Sequence, residues 1–384
     1  MVIYRKNRLE VFRLIYLDNS AGTRPYPEVI ETITDVLTNH WGNASADYSF
    51  GHDAQTIIDN VTEQVAADIG CNAEEIIWTS GACEANSLAI LGVLESNPRM
   101  HFFTSNLEHT SIHKLVLING HPTFYIDNND QGFISINDLE DKLEKANQRA
   151  LVSICLANSE IGTIQPIKVI SNIVHRYNGF LHVDATQAFP WARINVQALG
   201  IDMMSISGQK MHCCKGIGFL YVKNGIKLNP IIYGSQQKGI RAGTYPTHLI
   251  AAFGKALEIT RQRDNNVLYL RNKLLLRLLG IPDVQLNGTT TNIWRLPNNI
   301  SLTVNGVSAE ALVAMCDEQG IMIAKGSACQ SYNPVPSKTL LAIGLTEEEA
   351  LSTIRISLDE FNTEEEIDYV CEILPKIITR LRAI

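Results

Sequence analysis

The stretch SGQKMHCCKGIG, Ser207 to Gly218, places Lys210 just past the end of a short apolar run, DMMSIS. An amine there becomes nucleophilic when burial or nearby cations lower its pKa from ~10.4. Most lysines are solvated surface charges, so position alone leaves both readings open. Asp184 closes a second apolar run, FLHVD. A buried carboxylate needs a cation or hydrogen-bond donors, because leaving it unpaired costs several kcal/mol. It can cap a helix, pair within a loop, or face a protonated ring nitrogen. In TSGACEAN (79–86), Gly81, Ala82 and Cys83 stand between a strand and a helix. Their backbone N–H groups suit a phosphate, although small-residue turns before helices are common in α/β proteins. Cys329, in KGSACQS, is a thiol in a stretch without hydrophobic period. It is either a small loop or core residue, or a nucleophile whose thiolate is partly populated near its ordinary pKa of ~8.5. Nearby Lys325 would favour that ionisation if its side chain faces the thiol. His212-Cys213-Cys214 lacks the usual zinc-ligand spacing, and adjacent residues rarely aim both side chains at one ion.

Elements that position these residues are legible as alternating patterns. Short β-rich runs at 76–80, 101–105, 151–156, 180–184, 202–207 and 218–222 are separated by amphipathic stretches such as HDAQTIIDNVTEQVAADIG. The alternation predicts a mainly parallel sheet with helices on both faces, whose strand ends hold the ligand. A helical stretch from about Pro246 to Leu279 leads into a smaller α+β lobe: strand NISLTV, helix SAEALVAMCDEQ, strands IMIA and RISL, and a last helix. Thr363 and Glu366 form a capping-box signature for that helix. Cys316 and Cys371 lie on apolar helical stripes and read as core.

The chain has 384 residues, 45% of them hydrophobic, and a net charge of −8. Acidic balance argues against a general nucleic-acid binder, so direct nucleic-acid binding is not expected. No apolar run approaches the ~20 residues of a membrane helix. The first residues lack the apolar segment of an export signal, and the eight cysteines show no disulfide-framework spacing. A cytoplasmic, thiol-reducing setting is the expectation.

The order of phosphate turn, strand-end aspartate and strand-end Ser-x-x-Lys resembles cysteine desulfurases, in the class V aminotransferase group of fold-type I pyridoxal phosphate (PLP) enzymes. Matching blocks run in family order from Tyr16 onward. They include YLDNSAGTRP, WGNASADYSFGHDA, LEHTSI, ANSEIGTIQPI, LHVDATQA, GIRAGT and KGSACQS, besides the stretches quoted above. The resemblance implies an α/β fold with a mainly parallel seven-stranded sheet in a large PLP-binding domain (16–258). Residues 1–15 and 259–384 would form the small domain, carrying the catalytic cysteine loop at about 325–338. It also implies residue roles. Lys210 would hold PLP as a Schiff base and act as base on the substrate α-proton. Asp184 would pair with the ring nitrogen, Gln187 with the ring hydroxyl, and His109 would stack on the ring and move protons. Ala82, Cys83, Ser207 and Gln209 would surround the phosphate, with Thr244 reaching it from the second subunit of a homodimer. Asn158 would lie near cofactor and substrate, and Arg355 would grip the substrate carboxylate. Cys329 would take the sulfur of L-cysteine as a persulfide, releasing alanine, and pass it to an acceptor protein. A selenocysteine lyase, an aminotransferase or a non-catalytic sulfur-transfer scaffold are the alternatives on this fold.

The sequence departs from the family's pattern around the phosphate and the lysine loop. Gln209 stands for a histidine, Cys83 for a threonine, Cys213-Cys214 for Gly-Pro, Ser159 for a frequent asparagine and Asp359 for a glycine. Glutamine still donates to a phosphate oxygen but carries no charge. These departures suggest a divergent branch serving a specialised acceptor, such as DNA phosphorothioation, rather than general iron–sulfur assembly.

Overall fold

The computed structural model describes residues 14–263, 266–326 and 335–383. Thirteen strands occur among them. Ile15–Tyr16 (β1) is followed by seven that share one sheet: Ile76–Thr79 (β2), His101–Ser105 (β3), Thr123–Ile126 (β4), Ala150–Cys155 (β5), Phe180–Asp184 (β6), Met203–Ser207 (β7) and Gly218–Val222 (β8). Their order is β2-β8-β7-β6-β5-β3-β4, and all neighbours are parallel except β8, which runs antiparallel to both β2 and β7. The central strands are apolar along their whole length because helices cover both faces; every residue of β5 is buried. The sheet is thus the mainly parallel one expected, with β4 added to the runs read from the sequence.

The remaining strands are Val284–Leu286 (β9), Asn299–Val304 (β10), Ile321–Met322 (β11), Ala324–Lys325 (β12) and Thr353–Ser357 (β13). β12-β13-β10-β9 form an antiparallel sheet, while β11 pairs with β1. The run IMIA is therefore split between two sheets, with Ile323 at the break. The helical stretch expected from Pro246 to Leu279 is two helices, Thr247–Gln262 and Val267–Leu279, because Arg263 turns to an extended conformation. Thr363 and Glu366 do form the capping box of helix Glu364–Arg382.

Each of the two larger sheets has its own apolar core, and a third cluster around Leu88, Phe102, Leu151 and Leu220 covers the other face of the seven-stranded one. The first core lies on the seven-stranded sheet, with Phe103, Phe189, Phe219 and Phe253 inside it. The second packs Ile300, Leu302, Ile354 and Ile356 of the antiparallel sheet against the two helices 267–279 and 364–382. Leu340, in helix Lys338–Ala342, and Ile343, at its end, pack into the first core although they lie between β12 and β13 in sequence. This helix brings the second half of the chain over the carboxyl ends of the large sheet. Cys316 is fully buried as expected, whereas Cys371 is only half-buried against the second core.

Candidate active site

A cavity of about 670 Å³ opens at the carboxyl ends of β5, β6 and β7, where an open parallel sheet binds its ligands. Lys210 lies on its wall, in the turn after β7, and its Nζ donates to the Ala21 carbonyl at 2.6 Å. The segment 21–26 shapes this loop throughout. Thr23 donates through N and Oγ1 to the Gln209 carbonyl (3.1 and 3.0 Å), and its Oγ1 accepts from His212 N at 2.8 Å. His212 adopts φ 54°, a left-handed conformation costly for a residue with a Cβ. Its ring is locked by the Arg24 carbonyl (2.8 Å from Nδ1) between Tyr26 and Phe361. Cys213 is buried in the core; the hydrogen bond it shares with Cys214 raises its own pKa and lowers that of Cys214 to about 7.

Asp184, at the end of β6, is buried on the same cavity. Its carboxylate accepts from Asn86 Nδ2 at 2.9 Å and from Thr186 N at 3.1 Å. Gln187 also lines the cavity, donating to the Ser20 carbonyl at 3.1 Å. Across from them, His109 caps helix Thr110–Val116: its Nδ1 accepts from Ser111 N at 3.1 Å and lies 2.8 Å from Ser111 Oγ. Asn158 is buried with its amide engaged. Its Nδ2 donates to the Leu107 carbonyl (2.8 Å) and Thr339 Oγ1 (3.4 Å), and its Oδ1 accepts from the N–H groups of Glu160 and Ile161.

Ala82 and Cys83 open helix Ala82–Ser96 at the cavity's edge, facing Ser207 and Gln209, which also line it. The turn is tight. Gly81 has φ 147°, and a Cβ on Gly218 would come within 2.3 Å of the Ile206 carbonyl oxygen and 2.7 Å of Gly81 Cα. Only glycine lets β8 pass this close to the turn. Arg355, on β13, is buried on another wall. Its Nη2 pairs with Asp18 Oδ1 at 2.7 Å, while its buried Nε has no hydrogen-bond partner among the described residues.

Ten of the residues singled out from the sequence therefore line one cavity. Thr244 is exposed and outside the lining, and Cys329 falls outside the described residues. Four further polar residues escaped sequence reading. Asn86 supports Asp184 from the buried face of helix Ala82–Ser96, where it stands among Ala85, Leu88 and Ala89. Asp18 holds Arg355. Glu108 is pushed up to about 8 by burial, with Asp184 nearby adding to the effect. Burial likewise raises Glu160 to about 7, against stabilising contacts from Ser337 and Arg355. Adjacency in sequence to His109 and Asn158 was the available hint for these two acids.

The aminotransferase class-V family model matches residues 15–370. The chain belongs to the class-V aminotransferase family. A cysteine desulfurase IscS of Clostridium botulinum is 38% identical over 379 residues, covering 96% of this chain and 95% of that one. Among solved structures, a NifS-like protein from Rickettsia africae superposes with a TM-score of 0.88 at 31% identity, over 96% of this chain and all of that one. A structure described as SspA in complex with cysteine gives 0.80 at 30% identity, over 91% of this chain and all of that one.

The family's cofactor is PLP, and the residues present fit it chemically. A helix N-terminus with Ser207 and Gln209 offers donors to a phosphate, Asp184 a counter-charge to a ring nitrogen, and Lys210 an amine to an aldehyde. Thr186 Oγ1 and Arg355 Nε are buried there with no hydrogen-bond partner among the described residues. A polar ligand satisfies such orphaned groups, which otherwise cost about 1–3 kcal/mol each.

Proposed function

We propose that the chain is a PLP-dependent cysteine desulfurase, converting L-cysteine to L-alanine and holding the sulfur as a persulfide on Cys329. The observation that carries this reading is the meeting of Lys210, Asp184 and the helix turn at Ala82 on one cavity whose far wall holds Arg355. PLP, when bound, supplies an electron sink for the charge left when the substrate loses its α-proton. Lys210 anchors the cofactor, and its amine, once released, takes that α-proton. Asp184 holds a proton at the ring nitrogen, Gln187 bonds the ring hydroxyl, and His109 packs on the ring with Asn158 close by. Ala82, Cys83, Ser207 and Gln209 bind the phosphate. Arg355 receives the substrate carboxylate, a role suited to its planar fork of donors.

Cys329 Sγ, as thiolate, attacks the substrate sulfur. An S–S bond forms, the C–S bond breaks with its electron pair on carbon, a proton is added there, and Lys210 returns the α-proton to complete alanine. A homodimer carries the exposed Thr244 to the partner's phosphate site. The acceptor of the persulfide sulfur is a protein, and the changes at Cys83, Gln209 and Cys213-Cys214 favour a specialised one, as in DNA phosphorothioation. No helix among the described residues is long and apolar enough to cross a membrane. The visible spectrum tests the cofactor half of this reading. Purified protein absorbs as bound PLP, Lys210→Ala loses that band, and a colourless wild type that PLP does not reconstitute contradicts it.

A further inference from the structure

Asn86 is fully buried, yet its amide is not spent on the backbone. Nδ2 donates both to Asp184 Oδ2 (2.9 Å) and to Ser111 Oγ (3.0 Å). The opposite amide orientation would set Oδ1 against a carboxylate oxygen, so the donor assignment is fixed by chemistry. Ser111 Oγ, already accepting from Asn86, has one hydrogen, and its next neighbour is His109 Nδ1 at 2.8 Å. That nitrogen also faces the Ser111 backbone N–H, which can only donate. His109 Nδ1 is therefore an acceptor twice over, and the proton of the neutral imidazole sits on Nε2. The chain Asp184–Asn86–Ser111–His109 joins three elements: the end of β6, helix Ala82–Ser96 and the cap of helix Thr110–Val116.

We propose that Asn86 and Ser111 are positioning residues that couple Asp184 to His109 and fix His109 as the tautomer carrying its proton on Nε2. The inference rests on the PLP reading for the consequence of that coupling, but not for the tautomer itself. Asp184 receives one of its donors from the same amide group that engages Ser111. A change at Asn86 is therefore felt at both ends of the chain. His109 offers a donor, not an acceptor, from the nitrogen left unbonded by Ser111.

The test uses full-length holoenzyme labelled with [15N]histidine, the His109 signals being assigned by their absence in His109→Gln. Wild type shows neutral His109 protonated at Nε2, with Nδ1 shifted as a hydrogen-bond acceptor. In Ser111→Ala, and in the near-isosteric Asn86→Leu, the Nδ1 signal moves toward an unbonded ring nitrogen. The double variant moves it no further than Ser111→Ala. Asn86→Leu also shifts the pH transition of the bound-PLP spectrum upward by about one unit, because a charge-assisted donor to Asp184 is gone. Ser111→Thr, which restores the hydroxyl, returns the signal to its wild-type position. Wild-type His109 protonated at Nδ1, or folded Ser111→Ala with an unmoved signal, overturns the proposal. If buried Asn86→Leu does not fold, the Ser111 variants decide. Protein that cannot bind PLP contradicts the functional reading and leaves the tautomer measurement standing.

Discussion

Arg355 Nη2 lies 2.7 Å from Asp18 Oδ1, so the guanidinium that faces the cavity is already half committed to a carboxylate of its own chain. Its buried Nε carries no partner among the described residues. In the role proposed for Arg355, a ligand carboxylate would meet a cation held in place by Asp18. Replacing Arg355 by lysine keeps the charge but removes the planar fork. KM for L-cysteine should rise about 10–100-fold, the worth of a charge-assisted hydrogen bond or two, with kcat changed less. Asp18→Asn keeps an acceptor for Nη2 and removes a negative charge beside the incoming carboxylate, so KM should fall.

Burial pushes the Glu108 carboxyl up to about 8 from its ordinary value of 4.5, and the Asp184 charge adds to the rise against the hydrogen bond from Ser105. The folded state then holds a proton that the unfolded chain has lost. Its stabilising contribution is complete below about 4.5 and disappears as pH rises through 8. Glu108→Gln, neutral at every pH, should lose less stability than wild type between pH 6 and pH 9. Urea midpoints at the two pH values measure this.

His182 shows the opposite sign. Burial lowers it to about 4, and both ring nitrogens are taken, Nδ1 by Ser153 Oγ (2.8 Å) and Nε2 by Ser205 Oγ (2.9 Å). The neutral ring's contribution is present above the ordinary value of 6.5 and is lost as pH falls toward 4. On the order of 3 kcal/mol is at stake across that window. His182→Gln should flatten the acid side of a thermal-stability profile relative to wild type.

Strand positions such as GFLYV and FLHVD were readable because sheets buried on both faces demand uninterrupted apolar runs. The direction of β8 was not: apolar content is identical whichever way a strand runs, and only its pairing with β2 and β7 settles it. Lys210, Asp184 and the Ala82 turn were legible as strand-end or helix-start residues. Asp18, Glu160 and Ser111 were not, because their partners Arg355, Ser337 and Asn86 are set by tertiary packing across long sequence separations. The break after Gln262 was missed although the polar run Arg263-Asp264-Asn265-Asn266 marks it.

Phe219 packs edge-on against Phe253, Phe189 and Trp78, with ring centroids 5.6, 5.9 and 6.2 Å away. It follows Gly218, which passes under the Gly81 turn, so this aromatic cluster supports the floor of the cavity. Phe219→Ala should cost about 3–5 kcal/mol of stability. A lowered unfolding midpoint and weakened retention of PLP should appear together.

The proposed step that defines the enzyme is transfer of sulfur from L-cysteine to Cys329. It is tested most directly by incubating wild type and Cys329→Ala with [35S]cysteine and measuring protein-bound, thiol-reducible 35S alongside alanine. Wild type should carry label released by a thiol reductant and form alanine, while Cys329→Ala should keep the PLP spectrum and do neither. Equal labelling and alanine production by Cys329→Ala would rule out Cys329 as the sulfur carrier.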